Sequence, residues 1–418
     1  MVPPLRLSAP WLYPAGGSEV SAIEDGALLI DEAGRLAAMG PDATVPAPAG
    51  CRREHYAQTV IMPGLVNTHT HLELTGFEDR VLDEDFASWI RHLRALKEQR
   101  MPEEFLAAAR RGLADCFAAG VTTVADTGDS GAVIRALAEA GGSGIAYQEV
   151  FGPHPDQCES SLIGLQARVA ELRRFASPRI RLGVSPHAPY TVSEPLATAV
   201  MNWARAEGLP VAVHIAESPA EREFLLQATG PFAAAWKTRQ IPLPPRPGSS
   251  PIAWLESSGG LTPDTLCIHA VQVDAEDIAE LARADCAIAH CPGSNLRHRH
   301  GDAPLAAFLE AGLRVGVGTD SVASVGRLDL LAEARRARTL AGLSAAAALD
   351  LCTAAAARAL GLDGAVGRLA PGLWGDVTLV RVGAVTDPSD IPEALLESSP
   401  GQVVATYVGG RKVHSLAT

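Results

Sequence analysis

Lysine is scarce. Of 35 basic residues only Lys97, Lys237 and Lys412 are lysines, and 48 acidic residues leave a formal charge of −13. A phosphate backbone is bound by clustered cations, so no nucleic-acid partner is expected. No apolar run reaches the ~18 residues of a membrane span, so no membrane association is expected. Met1 to Gly17 lacks the basic start and continuous apolar core of a signal peptide. The seven cysteines include no pair at two-residue spacing, which argues against a zinc knuckle or a redox pair. The expected setting is cytoplasm, with reduced thiols serving mostly as small apolar fillers.

What is present is an alternation. Eight apolar runs recur: Val60–Val66, Val121–Ala125, Ile145–Phe151, Ile180–Val184, Pro210–Ile215, Thr265–Ala270, Cys286–His290 and Val315–Gly318. Several are apolar at consecutive positions, the mark of strands buried on both faces in a parallel sheet. Helix-like segments lie between them, among them Glu103–Phe117, Leu162–Phe175, Ser193–Glu207 and Asp274–Arg283. The count predicts an α/β fold, a (β/α)8 TIM barrel. A doubly wound sheet is the rival, but no Gly-rich dinucleotide turn follows the first run. The two ends carry short strand and turn signals and are expected to pair as a small β-sandwich-like domain. The boundaries are 1–58 and 369–418 for that domain and 59–368 for the barrel. Pro242–Pro251 reads as a loop, an insertion rather than a lid.

Four strings sit at the ends of apolar runs: His69-Thr70-His71, His214 with Glu217 three residues on, His269, and Asp320. Residues i and i+2 of a strand point to one side, so His69 and His71 can face one ion. In parallel barrels the carboxyl ends of the strands form the active-site rim. Several imidazoles and a carboxylate on one rim suit a divalent metal.

These strings resemble the amidohydrolase superfamily when joined to Ser185-Pro186-His187-Ala188-Pro189-Tyr190, His290-Cys291-Pro292 with Ser294-Asn295, and Gly318-Thr319-Asp320-Ser321. More narrowly they are similar to its mononuclear deaminase and chlorohydrolase branch. The resemblance implies one Zn²⁺, with Fe²⁺ as the alternative, on His69, His71, His214 and Asp320. It keeps His269 off the metal, bonded to the attacking water or the developing oxyanion, and makes Glu217 the proton shuttle. The fourth strand end has no lysine to bridge a second ion and offers His187 instead. Glu149 is expected beside the metal rather than on it.

A divalent metal lowers the pKa of its water from ~15.7 toward ~7, giving hydroxide at neutral pH. Attack on an electron-poor ring carbon needs a proton on the adjacent ring nitrogen, which Glu217 can give. An amine leaves less readily than chloride, so a carboxyl group there favours deamination. The expected substrate is a small molecule, a 6-aminopurine nucleoside or analogue; guanine-, cytosine- or triazine-type chemistry is the alternative, and a non-catalytic barrel is disfavoured because no ligand is lost. Leu72-Glu73 followed by Phe86-Ala87-Ser88-Trp89 looks closer to aminodeoxyfutalosine deaminases. Within the resemblance, Trp89 is either a stacking wall or a core anchor, and Glu98 either grips ribose hydroxyls or is a surface charge. His187 contacts the base or sugar edge. Glu73 is open between a supporting partner and a rim residue. A homodimer fits the family, though no sequence patch requires one.

Overall fold

The computed structural model describes residues 3–17, 21–82, 85–244 and 248–416. Eight parallel strands form the barrel in chain order: Leu65–Thr70, Val121–Gly128, Ser143–Val150, Ile180–Pro186, Val211–Ile215, Thr265–His269, Ala287–His290 and Arg314–Val317. Most are buried along their length, as the unbroken apolar runs require when helices cover the outside and side chains fill the inside. Helices such as Pro102–Ala118, Cys158–Leu172 and Glu194–Glu207 stand where the 3.6-residue spacing put them. Among the described residues no helix is long and apolar enough to cross a membrane. All seven cysteines are free thiols, five of them buried.

The barrel closes where the first and eighth strands meet. Asn67 Nδ2 donates to Thr319 Oγ1 (2.8 Å), Thr319 N donates to Asn67 Oδ1 (3.1 Å), and Asp320 N donates to the His69 carbonyl (3.0 Å). Only glycine fits at 318, since a Cβ there would lie 2.8 Å from both the backbone nitrogen and the Cβ of His69.

The first apolar run, Val60–Val66, is not one strand. The chain breaks at Gly64: Thr59–Pro63 belongs to the second sheet, and Leu65–Thr70 opens the barrel. The passage from one sheet to the other thus falls after Pro63, not at 58/59. Both halves are buried on both faces, so hydrophobicity carries no mark of the switch. That second sheet is a single mixed sheet of eight strands, whose buried side chains from both ends of the chain share one core. Leu5–Leu12 lies at its centre, antiparallel to Ile23–Ile30 on one side. On the other it runs parallel first to Arg52–His55 and then to Thr59–Pro63. Val377–Arg381, Val403–Val408 and Arg411–Ser415 extend that side. Within Pro242–Pro251, residues 245–247 lie outside the described residues, and Pro251 begins a helix, Pro251–Ser257.

Polar contacts join sheet and barrel. Thr378 Oγ1 donates to the Gly120 carbonyl (2.8 Å) and Thr406 Oγ1 to that of Phe117 (2.7 Å). Arg179, just before the fourth barrel strand, donates to both oxygens of buried Asp376 (2.6 and 2.7 Å). Removing one partner of a buried ion pair strands the other charge. Arg179→Ala is expected to lose about 3 kcal/mol of stability, read as a lower denaturant midpoint with an unchanged slope.

Candidate metal centre

The rim residues converge. His69 and His71 leave the first strand on the same side, with ring centroids 4.7 Å apart. His214, from the fifth strand, lies with its ring 4.9 Å from that of His69, and its Nε2 is 3.3 Å from His71 Nε2. Asp320 Oδ1 is 3.6 Å from Nε2 of both His69 and His71. His269 completes the ring of groups, 5.7 Å from His214 between centroids. Two of these residues hold left-handed backbone, His269 at φ 74° and Asp320 at φ 60°. Such conformations cost ~1–3 kcal/mol each and persist where the surroundings enforce them.

The chemistry of the donors fits a divalent ion. His69 is fully buried and neither of its ring nitrogens has a hydrogen-bond partner. Burial holds His71 and His214 well below the ordinary histidine pKa, so both stay neutral and offer lone pairs. Burial works against the Asp320 carboxylate, but the imidazoles around it, with bonds from Ser294 Oγ (2.6 Å) and Ser321 N (2.5 Å), keep it ionised. His214 Nδ1 bonds the His187 carbonyl (3.2 Å) and His71 Nδ1 meets Thr127 Oγ1 (3.2 Å), which turns each Nε2 inward. Two triads can be drawn, His69–His71–Asp320 and His69–His214–His269, each with donor atoms within 4.8 Å of one another. A third, Glu149–His187–His214, borrows His214, whose Nε2 already faces His71.

Glu217 is buried beside this cluster. Its Oε1 is 3.5 Å from His269 Nε2 and its Oε2 accepts from Tyr190 Oη (3.2 Å). Burial raises its pKa well above the carboxylate range, aided by the nearby Asp320 and Glu221 carboxyls, which favours the protonated form. His269 Nδ1 faces Asn295 Oδ1 (3.0 Å), which can only accept, so Nε2 presents its lone pair to the cluster. Burial pulls the His269 pKa down to about 4.

The structure treats the remaining expected residues differently. Trp89 is buried in the helix Phe86–Glu98, 6.0 Å from Phe86 and edge-on to His298 at 4.5 Å. Lys97 of the same helix reaches Glu73 (2.9 Å) and Asp129 (2.7 Å), so Glu73 is a buried anchor for the helix that carries Trp89. Glu98 is not brought to the cluster; it is exposed on that helix and paired with Arg94 (2.8 Å). A helical residue next to an inward-facing lysine points some 100° away from it. His187 lies 4.8 Å from His214 and 4.9 Å from Phe151, with Nδ1 bonded to Thr191 Oγ1 (2.8 Å). Glu149 is buried, 4.0 Å from His187 Nε2.

Sequence reasoning passed over several supports. Glu221 accepts from the amides of Ala216 (2.8 Å) and Glu217 (2.9 Å) and fixes that turn. Its signal was its place four residues beyond Glu217, in a helix's first turn. The run Arg297-His298-Arg299-His300 reads as a solvated basic stretch, yet both histidines are buried.

Comparison with known proteins identifies the family and the fold. The model of the "Amidohydrolase family" matches residues 60–413. The chain is 35% identical over 306 residues to an aminodeoxyfutalosine deaminase of Deinococcus radiodurans, covering 69% of this chain and 70% of that protein. It is 30% identical over 412 residues to a 5-methylthioadenosine/S-adenosylhomocysteine deaminase of Symbiobacterium thermophilum, covering 95% and 90%. A zinc-bound adenosine deaminase structure from Xanthomonas campestris superposes with a TM-score of 0.82 at 24% identity, covering 98% and 92%. Helicobacter pylori aminofutalosine deaminase in complex with methylthio-coformycin superposes with a TM-score of 0.85 at 19% identity, covering 98% and 100%. At those identities the two structures speak for the fold.

His69→Ala and Asp320→Ala are each expected to purify with little bound metal by elemental analysis. Glu98→Ala is expected to keep both metal and the parent's kcat/KM. A tenfold rise in KM for Glu98→Ala would return that carboxylate to the site.

Proposed function

The chain belongs to the amidohydrolase family, hydrolases of carbon–nitrogen bonds, and from that premise we propose that it deaminates a 6-aminopurine nucleoside or a close analogue, with Glu217 as proton carrier. The observation that carries this reading is a buried Glu217, 3.5 Å from His269 Nε2 and beside the cluster of His69, His71, His214 and Asp320. Those four residues would hold one divalent ion, zinc or iron(II), which would supply Lewis acidity that brings the pKa of a water toward ~7.

The chain's own groups account for the proton traffic. Asp320, ionised, takes the first proton from the attacking water, and the lone pair of His269 Nε2 orients that water. Glu217 gives its proton to the ring nitrogen next to the attacked carbon, so the ring can accept the electron pair. Collapse to the carbonyl frees the second water proton, which Glu217 carries to the amine, and ammonia leaves. Asp320 returns its proton to solvent, and Glu217 is reprotonated for the next cycle. A protonated acid in this place favours loss of an amine over loss of chloride, because the poorer leaving group gains more from the proton.

The wall of Trp89 and Phe86 supports a flat heteroaromatic substrate. His187, with Phe151 beside it, supports contact with a sugar or base edge.

Glu217→Gln is expected to lose ~10²–10⁴-fold in kcat while keeping its metal, and full activity in that variant defeats the assignment. Ammonia release and the ultraviolet change are measured on adenosine, 5′-methylthioadenosine, S-adenosylhomocysteine, guanine, cytosine and a chlorotriazine. Turnover of a nucleoside is expected; turnover confined to a free base or the triazine overturns the substrate reading.

A further inference from the structure

Beyond the metal-seeking groups, the loop after the seventh barrel strand carries a second pair of imidazoles. His298 and His300 are 7% and 2% exposed, and their rings stack 5.5 Å apart. His300 stands edge-on to Phe86 at 4.5 Å, and His298 edge-on to Trp89 at 4.5 Å. His300 Nδ1 is 3.9 Å from Glu217 Oε1. Both nitrogens of His300, His298 Nε2 and Trp89 Nε1 are buried without a hydrogen-bond partner. An unpaired buried donor or acceptor costs stability and is tolerated where a ligand satisfies it. The loop is also fixed in place: Gln272 donates to the His300 carbonyl (2.6 Å), and its own amide donates to the carbonyl of Ala216 (2.7 Å), next to Glu217.

Burial lowers His298 to about 4 and His300 to about 2, so both rings are neutral, each with one donor and one acceptor nitrogen. A ring nitrogen protonated by Glu217 has, across one carbon, a second position of the same ring. In a 6-aminopurine that position is N3, an acceptor. The His300 imidazole, 3.9 Å from Glu217 Oε1, stands beside the acid that protonates that ring.

We propose that His300 is a specificity-determining residue, donating a hydrogen bond to the ring acceptor one carbon beyond the nitrogen that Glu217 protonates, with His298 and Trp89 backing it. The ligand class is a nitrogen heterocycle with an N–C–N edge. The inference rests on the deaminase reading above and adds to it the edge by which the base is read.

The test compares adenosine with 3-deazaadenosine, which replaces N3 by CH, in the wild type, His300→Phe and His300→Gln. The readout is the ratio of kcat/KM for the two compounds. Dividing the variant's ratio by the wild type's cancels the intrinsic reactivity of each ring. His300→Phe is expected to reduce the preference for adenosine by ~10²-fold, a loss consistent with removing a hydrogen bond built for one ring atom. Its metal content and Tm should hold, since it removes two unpaired polar atoms without removing ring volume. His300→Gln, with an N–H to offer, should recover part of the preference and covers the case in which the Phe variant fails to fold. An unchanged ratio in either soluble variant overturns the role of His300 and leaves the deaminase reading standing. Where adenosine is not turned over, the same pair is made from the nucleoside of the panel that is; turnover of no nucleoside by the wild type overturns both readings together.

Discussion

The closure of the barrel between its first and last strands is the constraint on which the rest depends. Asp320 N reaches the carbonyl of His69, and the glycine at 318 lets the two backbones approach. Without that approach the carboxylate from the end of the eighth strand would not stand 3.6 Å from two imidazoles from the first. The left-handed backbone at Asp320 is one cost of the arrangement. The buried Asn67–Thr319 pair and the Ser294–Asp320 bond offset it by satisfying the polar groups that closure buries.

Around this seam, buried polar side chains each fix one reactive group. Asn295 sets the tautomer of His269, Glu221 holds the turn that carries Glu217, and Thr127 and the His187 carbonyl turn His71 and His214 inward. Glu333 accepts from Gly293 N (2.5 Å) and so secures the segment holding Ser294 and Asn295. A buried network with its members paired is rigid, and a rigid scaffold is what charge development during reaction needs. Neither ring nitrogen of His69 has a hydrogen-bond partner, which leaves both nitrogens uncommitted.

One property of the pocket, its low polarity, acts in opposite directions on different groups. Burial lowers the pKa of the imidazoles, which favours their neutral form, and raises that of Glu217, which favours its protonated form. Lys97 survives the same burial because Glu73 and Asp129 grip it and raise its pKa. That grip fixes the helix bearing Phe86 and Trp89 against the barrel.

Much of this was legible in the chain itself. The repeated apolar runs determined the barrel because strands buried on both faces need no alternation, and the polar residues ending those runs were marked by being out of place. The joint at Gly64 was illegible, since two strands in two sheets share one uninterrupted apolar run. The inward Lys97 and outward Glu98 were illegible for a different reason: a helix's phase is set by what it packs against, not by the nearest attractive residue. His298 and His300 look like solvated neighbours of two arginines, and only the fold turns them into a buried wall beside Glu217. Sequence alone determined which chemistry was available, because side-chain identity is local. Tertiary structure decided which of those groups face one another, because that depends on contacts between residues hundreds of positions apart.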